Sequence, residues 1–147
     1  MLFDVFVVNQ RLRALLGRAL SACELTPDEY AAYSVLFEHG PLTPTQMAGL
    51  MAMPVTTTLD YVRAMSARGH VTRTRHPADG RSYLLSLNAA GLGAHRRTNA
   101  AWNVAVARLE GALGKPVAEV REALHALDDA AAAALAQFDA DQRAEAG

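Results

Sequence analysis

Apolar positions recur along this chain with helical spacing, broken once by a pair of short alternating runs. Val5, Val8, Leu12, Leu15, Leu16, Ala19 and Leu20 follow a 3.6-residue period, so the spacing predicts a first helix from about Phe3 to Ala22. Phe3, Phe6 and Val7 widen its apolar surface beyond one stripe. A second helix is expected from Pro27 to about Glu38, with Tyr30, Tyr33, Val35, Leu36 and Phe37 mostly in the core. Gly40-Pro41 then breaks the chain. A short helix is expected from Pro44 to about Met51, and another from Pro54 to about Arg68 with Leu59, Val62 and Met65 turned inward. After Gly69 the period changes. Val71-Thr72-Arg73-Thr74-Arg75 and Tyr83-Leu84-Leu85-Ser86-Leu87 read as strands, separated by turn formers at His76-Pro77-Ala78-Asp79-Gly80. A long helix follows from Asn88 to about Leu113, carrying Leu92, His95, Trp102, Val106 and Leu109. Gly114-Lys115-Pro116 interrupts it. The last helix runs from about Pro116 to Phe138, with Val117, Val120, Leu124, Leu127, Ala131, Leu135 and Phe138 on one stripe.

Local signals sharpen these boundaries. Thr26 and Thr43 can each cap a helix whose first residue is proline, and Glu29 and Gln46 stand three residues on, where each completes a capping box. Gly69 suits a helix stop, and Asn88 suits a cap. Two short helices followed by a hairpin make a winged helix. The expected fold is therefore mainly α with a small β-hairpin wing. Residues 25–87 form a winged helix-turn-helix lobe suited to DNA, and 1–24 with 88–147 form a helical dimerisation region, within one domain over 1–147. The first helix and the two long C-terminal helices carry more apolar surface than so small a lobe can cover, so they are expected to interleave with those of a second copy.

Composition adds class and compartment. The chain has 147 residues, 51% of them hydrophobic and 20% charged, which is globular. Cys23 is its single cysteine, so an internal disulfide is impossible and a reducing cytoplasm is expected. The apolar start lacks the basic opening of a signal peptide, and no run is long enough to span a membrane. Net charge is −1, yet its distribution is uneven. Between Tyr61 and Arg97 stand seven arginines (63, 68, 73, 75, 81, 96, 97) and one acid, Asp79. Between Glu110 and Gly147 stand eight acids (110, 119, 122, 128, 129, 139, 141, 145) and three bases (115, 121, 143). Basic charge thus gathers on the helix and hairpin that could meet a nucleic acid.

Candidate chemistry follows that charge. Thr56, Thr57, Asp60 and Arg63 occupy the polar face of the fourth helix, either as base or phosphate contacts or as a solvated polar face. Thr43 and Thr45 are phosphate candidates. Arg73 and Arg75 share one strand face and are placed for phosphates. Arg81, at the hairpin tip, can enter a minor groove, and Asp79 is expected to orient it. Asp60 is repelled by phosphate; it can accept from a cytosine amino group or pair with Arg63 or Arg68. The histidines at 39, 70, 76, 95 and 125 lack metal-ligand spacing. Ser34 and Ser66 lie on helices without a nucleophile elbow, and no glycine-rich phosphate loop exists. No metal, no cofactor and no enzymatic activity are expected.

The stretch from Leu25 to Gly91 resembles the MarR family of bacterial winged-helix transcription regulators. The resemblance rests on Leu25-Thr26-Pro27, on Glu38-His39-Gly40-Pro41-Leu42-Thr43, on Ala67-Arg68-Gly69, on Asp79-Gly80-Arg81 and on Ser86-Leu87-Asn88-Ala89-Ala90-Gly91. It implies a homodimer, with the first helix in the dimer interface. Family members often carry an arginine or other polar donor where this chain has Val55 and Asp60, so both are placed at the DNA. In the family, small aromatic or anionic effectors bind between the dimer helices and the DNA lobe and weaken DNA binding. Here Tyr30, Tyr33, Phe37 and Trp102 would border that pocket; the other reading is that they are ordinary core aromatics. Some members sense oxidants through a cysteine near the N-terminus, the role Cys23 would take; the other reading of a lone cysteine on a helix is an inert packing residue. The expected function is a homodimeric regulator, read as a repressor, on a pseudo-palindromic duplex. The competing reading is a winged-helix protein-interaction module without specific DNA binding.

Overall fold

The computed structural model describes residues 1–145 and divides into two compact units, Met1–Val106 and Ala107–Gly147. The element order is α1 (Leu2–Ala19), α2 (Pro27–His39), α3 (Pro44–Leu50), α4 (Val55–Ala67), β1 (Val71–Arg75), β2 (Tyr83–Leu87), α5 (Ala89–Gly111) and α6 (Val117–Glu145). The last two residues of the helical region expected over 88–147 lie outside the described residues. The architecture is mainly α with one antiparallel hairpin.

Each boundary has a local cause. Both capping boxes form: Thr26 Oγ1 accepts from the Glu29 backbone N–H while Glu29 Oε2 accepts from that of Thr26, and Thr43 and Gln46 repeat the exchange. Helix α1 ends three residues earlier than its apolar period suggests, because Ser21 Oγ donates to the Arg18 carbonyl and Cys23 N–H to that of Leu20. Helix α4 ends in a Schellman motif. Gly69, at φ +68°, donates to the Ser66 carbonyl, and His70 N–H reaches back to Met65. Helix α6 continues seven residues past the expected end at Phe138, since Asp139 to Glu145 contains no breaker once the apolar stripe stops.

The hairpin pairs Val71 with Leu87, Thr72 with Ser86, Arg73 with Leu85, Thr74 with Leu84 and Arg75 with Tyr83. Leu42 adds a short third edge. Its N–H and carbonyl both bond to Leu85, which ties the start of α3 to the wing. Beneath lies the core of the first unit: Leu25, Tyr33, Leu36, Met47, Val62, Met65, Leu85 and Ala94. Thr58 belongs to it as well. It is fully buried, and its hydroxyl donates to the Pro54 carbonyl. In the second unit α6 buries none of its residues; Val117, Val120 and Leu127 are half-buried, and Leu124, Leu135 and Phe138 are exposed.

The junction of α4, the wing and α5 is fixed where α5 begins. Asn88 Oδ1 caps α5 by accepting from Gly91 N–H at 3.0 Å. The same side chain donates to the Gly69 carbonyl at 2.7 Å, and Asn88 N–H donates to that of His70. Gly91 lies so near His70 that an added Cβ would stand 2.2 Å from the carbonyl oxygen. Gly91→Ala must therefore push α5 off the end of α4. It is expected to lower stability in urea unfolding by about 2 kcal/mol, the scale of an overpacked core, and a change within error would show that the junction yields freely.

Candidate nucleic-acid interface

Two features of the first unit face outward together, the polar side of α4 and the wing. On α4, Thr56, Asp60 and Arg63 follow one another at steps of four and three residues, so they form one stripe, with Thr57 beside it. All are exposed, as is Val55 at the first position, whereas Thr58, Val62 and Met65 face the core. Asp60 accepts from Arg63 on the same helix. Thr45 is exposed in the first turn of α3, and Thr43 is half-buried with its oxygen committed to the Gln46 N–H.

The wing is shaped by its own side chains. His76 Nδ1 accepts from the backbone N–H groups of Ala78 and Asp79, at 3.2 and 3.1 Å. Asp79 Oδ1 accepts from Arg81 N–H at 3.0 Å, an Asx turn that sets where Arg81 leaves the loop. Asp79 thus holds the backbone of Arg81 and not its guanidinium, which forms no ion pair among the described residues. Arg75 lies over Gly80, where an added Cβ would meet its Nη2 at 2.6 Å, and it lines an open cleft of about 320 Å³ with His76, Pro77 and Ala78. Arg73 shares the strand face of Arg75 but turns back. It donates to Ser66 Oγ at 3.0 Å and stacks over Tyr83 at 4.8 Å, lashing β1 to the end of α4.

The basic stretch is therefore less free than its arithmetic. Arg68 is bound to Glu29 at 2.8 Å and Arg97 to Glu24 at 2.7 Å. The Arg97 hydrogen bond is the chief cause holding the Glu24 carboxyl below its usual range. Burial alone would raise that of Glu29, but the Thr26 N–H and Arg68 outweigh it and bring it down. These long-range partners carried no signal in the spacing of the sequence.

The aromatic candidates divide. Tyr30 lies against Trp102 with ring centres 4.8 Å apart, and Tyr30 and Phe37 both stack on His95, at 5.1 and 4.5 Å. Tyr33 engages His70 instead, its hydroxyl 2.8 Å from Nδ1. His95 and Asn99, whose Oδ1 accepts from the Tyr30 hydroxyl, are the members that sequence reasoning missed. The signal was present, since His95, Asn99 and Trp102 fall at four- and three-residue steps on one face of α5. Cys23 sits in the turn after α1, half-buried against the core. Among the described residues no cluster of His, Cys, Asp or Glu could hold a metal ion, and no helix is long and apolar enough to cross a membrane.

His95 is 5% exposed, and its Nδ1 has no hydrogen-bond partner. Burial lowers its pKa, with the nearby charge of Glu38 opposing weakly. A neutral buried imidazole leaves stability intact above the ordinary histidine pKa. Below about 6.5 the unfolded chain takes up the proton first, so stability should fall as acidification proceeds toward the folded value. Melting curves from pH 8 to 5 should show this loss, and His95→Phe should flatten it. An equal pH dependence in both proteins would remove His95 as its source.

The MarR family profile matches residues 25–83. No curated protein sequence matches the chain. Among solved structures, a probable transcriptional regulator from Pseudomonas aeruginosa is 31% identical, with 84% of this chain and 92% of that one covered and a TM-score of 0.74. The transcriptional regulator MOSR from M. tuberculosis, solved in complex with DNA, is 23% identical, with 90% and 96% covered and a TM-score of 0.78. CouR from Rhodococcus jostii RHA1 is a transcriptional repressor solved with a 23-mer DNA duplex and with p-coumaroyl-CoA. It is 22% identical, with 88% and 90% covered and a TM-score of 0.75.

Proposed function

This chain belongs to the MarR family, whose members are transcription factors and not enzymes, and we propose from that premise that it is a homodimeric repressor acting on a pseudo-palindromic DNA site. The observation that carries the reading is the exposed stripe of Thr56, Asp60 and Arg63 on α4, coupled through Arg73 to a wing whose tip presents Arg81. Helix α4 enters a major groove, where Val55, Thr56, Thr57, Asp60 and Arg63 meet base edges and phosphates. Thr45 and Arg75 contribute at the backbone, Thr43 and Arg73 only through what their capping and Ser66 contacts leave free, and Arg81 lies in the neighbouring minor groove. Asp79 sets the course of the chain into Arg81.

The dimer is supported by apolar surface that one chain leaves uncovered. Phe3 is 74% exposed, and Leu2, Phe6 and Val8 on α1 stand exposed with it. So do Leu124, Leu135 and Phe138 on α6. Surface of this kind marks an interface, and two-fold pairing presents two reading helices about one helical turn apart. Repression and control by a small aromatic or anionic effector are extended from the likeness to CouR. The cluster of Tyr30, Phe37, His95 and Trp102 is where such an effector would sit, whereas Tyr33 is fully buried against His70. Cys23 remains the candidate for oxidant sensing. The protein would act in the cytoplasm.

Arg81→Ala tests the wing with the full-length protein. Affinity for duplex DNA, followed by fluorescence anisotropy across salt concentrations, should fall for all sequences, and the slope of log affinity against log salt should drop by about 1. An unchanged affinity and slope would remove Arg81 from the interface. Absence of any salt-dependent binding by the unaltered protein would favour a winged-helix protein-interaction module instead.

A further inference from the structure

We infer that Asp60 and Arg63 act as one composite reader of a single G·C base pair; the inference rests on the DNA-binding reading above and assigns its specificity. The two side chains are joined on the outer face of α4, Arg63 donating through Nη1 to Asp60 Oδ1, and they are 74% and 71% exposed. An ion pair that exposed contributes little to folding. Neither residue engages the core, whereas Arg68 and Arg97 are bound to Glu29 and Glu24 and Arg73 to Ser66. The stripe that begins at Thr56 thus ends in a donor and an acceptor held side by side.

The chemistry of the held pair selects its target. Arg63 keeps unused guanidinium N–H groups, and Asp60 keeps its second carboxylate oxygen. A G·C pair presents, in order across the major groove, the guanine N7 and O6 acceptors and the cytosine N4 donor. Arg63 donating to guanine and Asp60 accepting from cytosine N4 fit that order. An A·T pair places an amino group where Arg63 needs an acceptor, and the thymine O4 acceptor and methyl group where Asp60 needs a donor. The carboxylate is also repelled by phosphate, so the pair cannot settle on the DNA backbone without separating. The arrangement gives up non-specific affinity and gains discrimination.

The test compares the unaltered protein with Asp60→Asn and with Asp60→Ala/Arg63→Ala, each in selection from a randomised duplex pool. Competition binding then follows on the enriched site with G·C changed to A·T. Both residues are exposed, so matching circular dichroism spectra and melting temperatures are expected of all three. The unaltered protein should enrich one fixed G·C position in each half-site and lose roughly 5- to 150-fold in affinity on the change to A·T, the range of one well-made base contact. The double variant should lose most of that preference. Asp60→Asn should tolerate A·T, because an amide offers a donor as well as an acceptor. A motif whose G·C preference persists in both variants overturns the inference and leaves DNA binding standing. Failure of the unaltered protein to enrich any motif overturns DNA reading and this inference together.

Discussion

The meeting of α4 and α5 at the Gly69–His70 backbone is the constraint on which the lobe depends. Three polar contacts converge there: the Schellman bond from His70 to Met65, the Asn88 amide on the Gly69 carbonyl, and the Asn88 N–H on the His70 carbonyl. Gly91 allows the approach, because any side chain would occupy the space of the His70 oxygen. Both ends of the hairpin emerge from this point, β1 one residue after His70 and β2 one residue before Asn88. The wing therefore inherits its direction from the same backbone that ends α4. Arg73 reinforces the coupling from the strand side, and Leu42 does so from the start of α3. Helix, wing and α5 are one mechanical piece, so displacement of α5 must be felt by the outer face of α4 and the wing.

Electrostatics divides the arginines of this piece into two kinds. Arg68 and Arg97 are committed inward, to Glu29 and Glu24, whose carboxyls are held below their ordinary range. Those carboxylates contribute above their unfolded pKa and lose the contribution as the pH falls toward the folded value. Arg63, Arg75 and Arg81 remain on the surface; the Arg63 side chain is paired with Asp60 and that of Arg75 lies over Gly80, while Arg81 is fixed by the Asp79 turn through its backbone alone. A flexible cation loses rotamer freedom when it meets a phosphate or a base. A pre-placed one has lost part of it already, so the same contact is less costly to form.

Much of this was legible in the sequence, for physical reasons that can be named. The two Thr–Pro caps with Glu29 and Gln46, the stop at Gly69 and the cap at Asn88 are local, and local chemistry decides them. The wing was legible in its β-branched alternation and turn residues. What escaped is what depends on the third dimension. Thr58 follows Thr56 and Thr57 directly and carries nothing in the sequence to set it apart from them, yet it is a core residue, satisfied by the Pro54 carbonyl one turn behind. The partners of Arg68 and Arg97 are 39 and 73 residues away in the chain. His95 was read along a helix without the rings of Tyr30 and Phe37 that enclose it. The end of α6 was misplaced because apolar periodicity stops before helix propensity does.

Two-fold reading of DNA by paired copies of α4 and the wing is the central claim, and hydroxyl-radical footprinting of the full-length protein on a selected duplex tests it most directly. The account predicts protection on both strands, symmetric about one centre, with two major-groove patches about one helical turn apart and flanking minor-groove protection from the wings. A single unsymmetric patch, or a symmetric footprint unaffected by loss of the wing arginine, would contradict it.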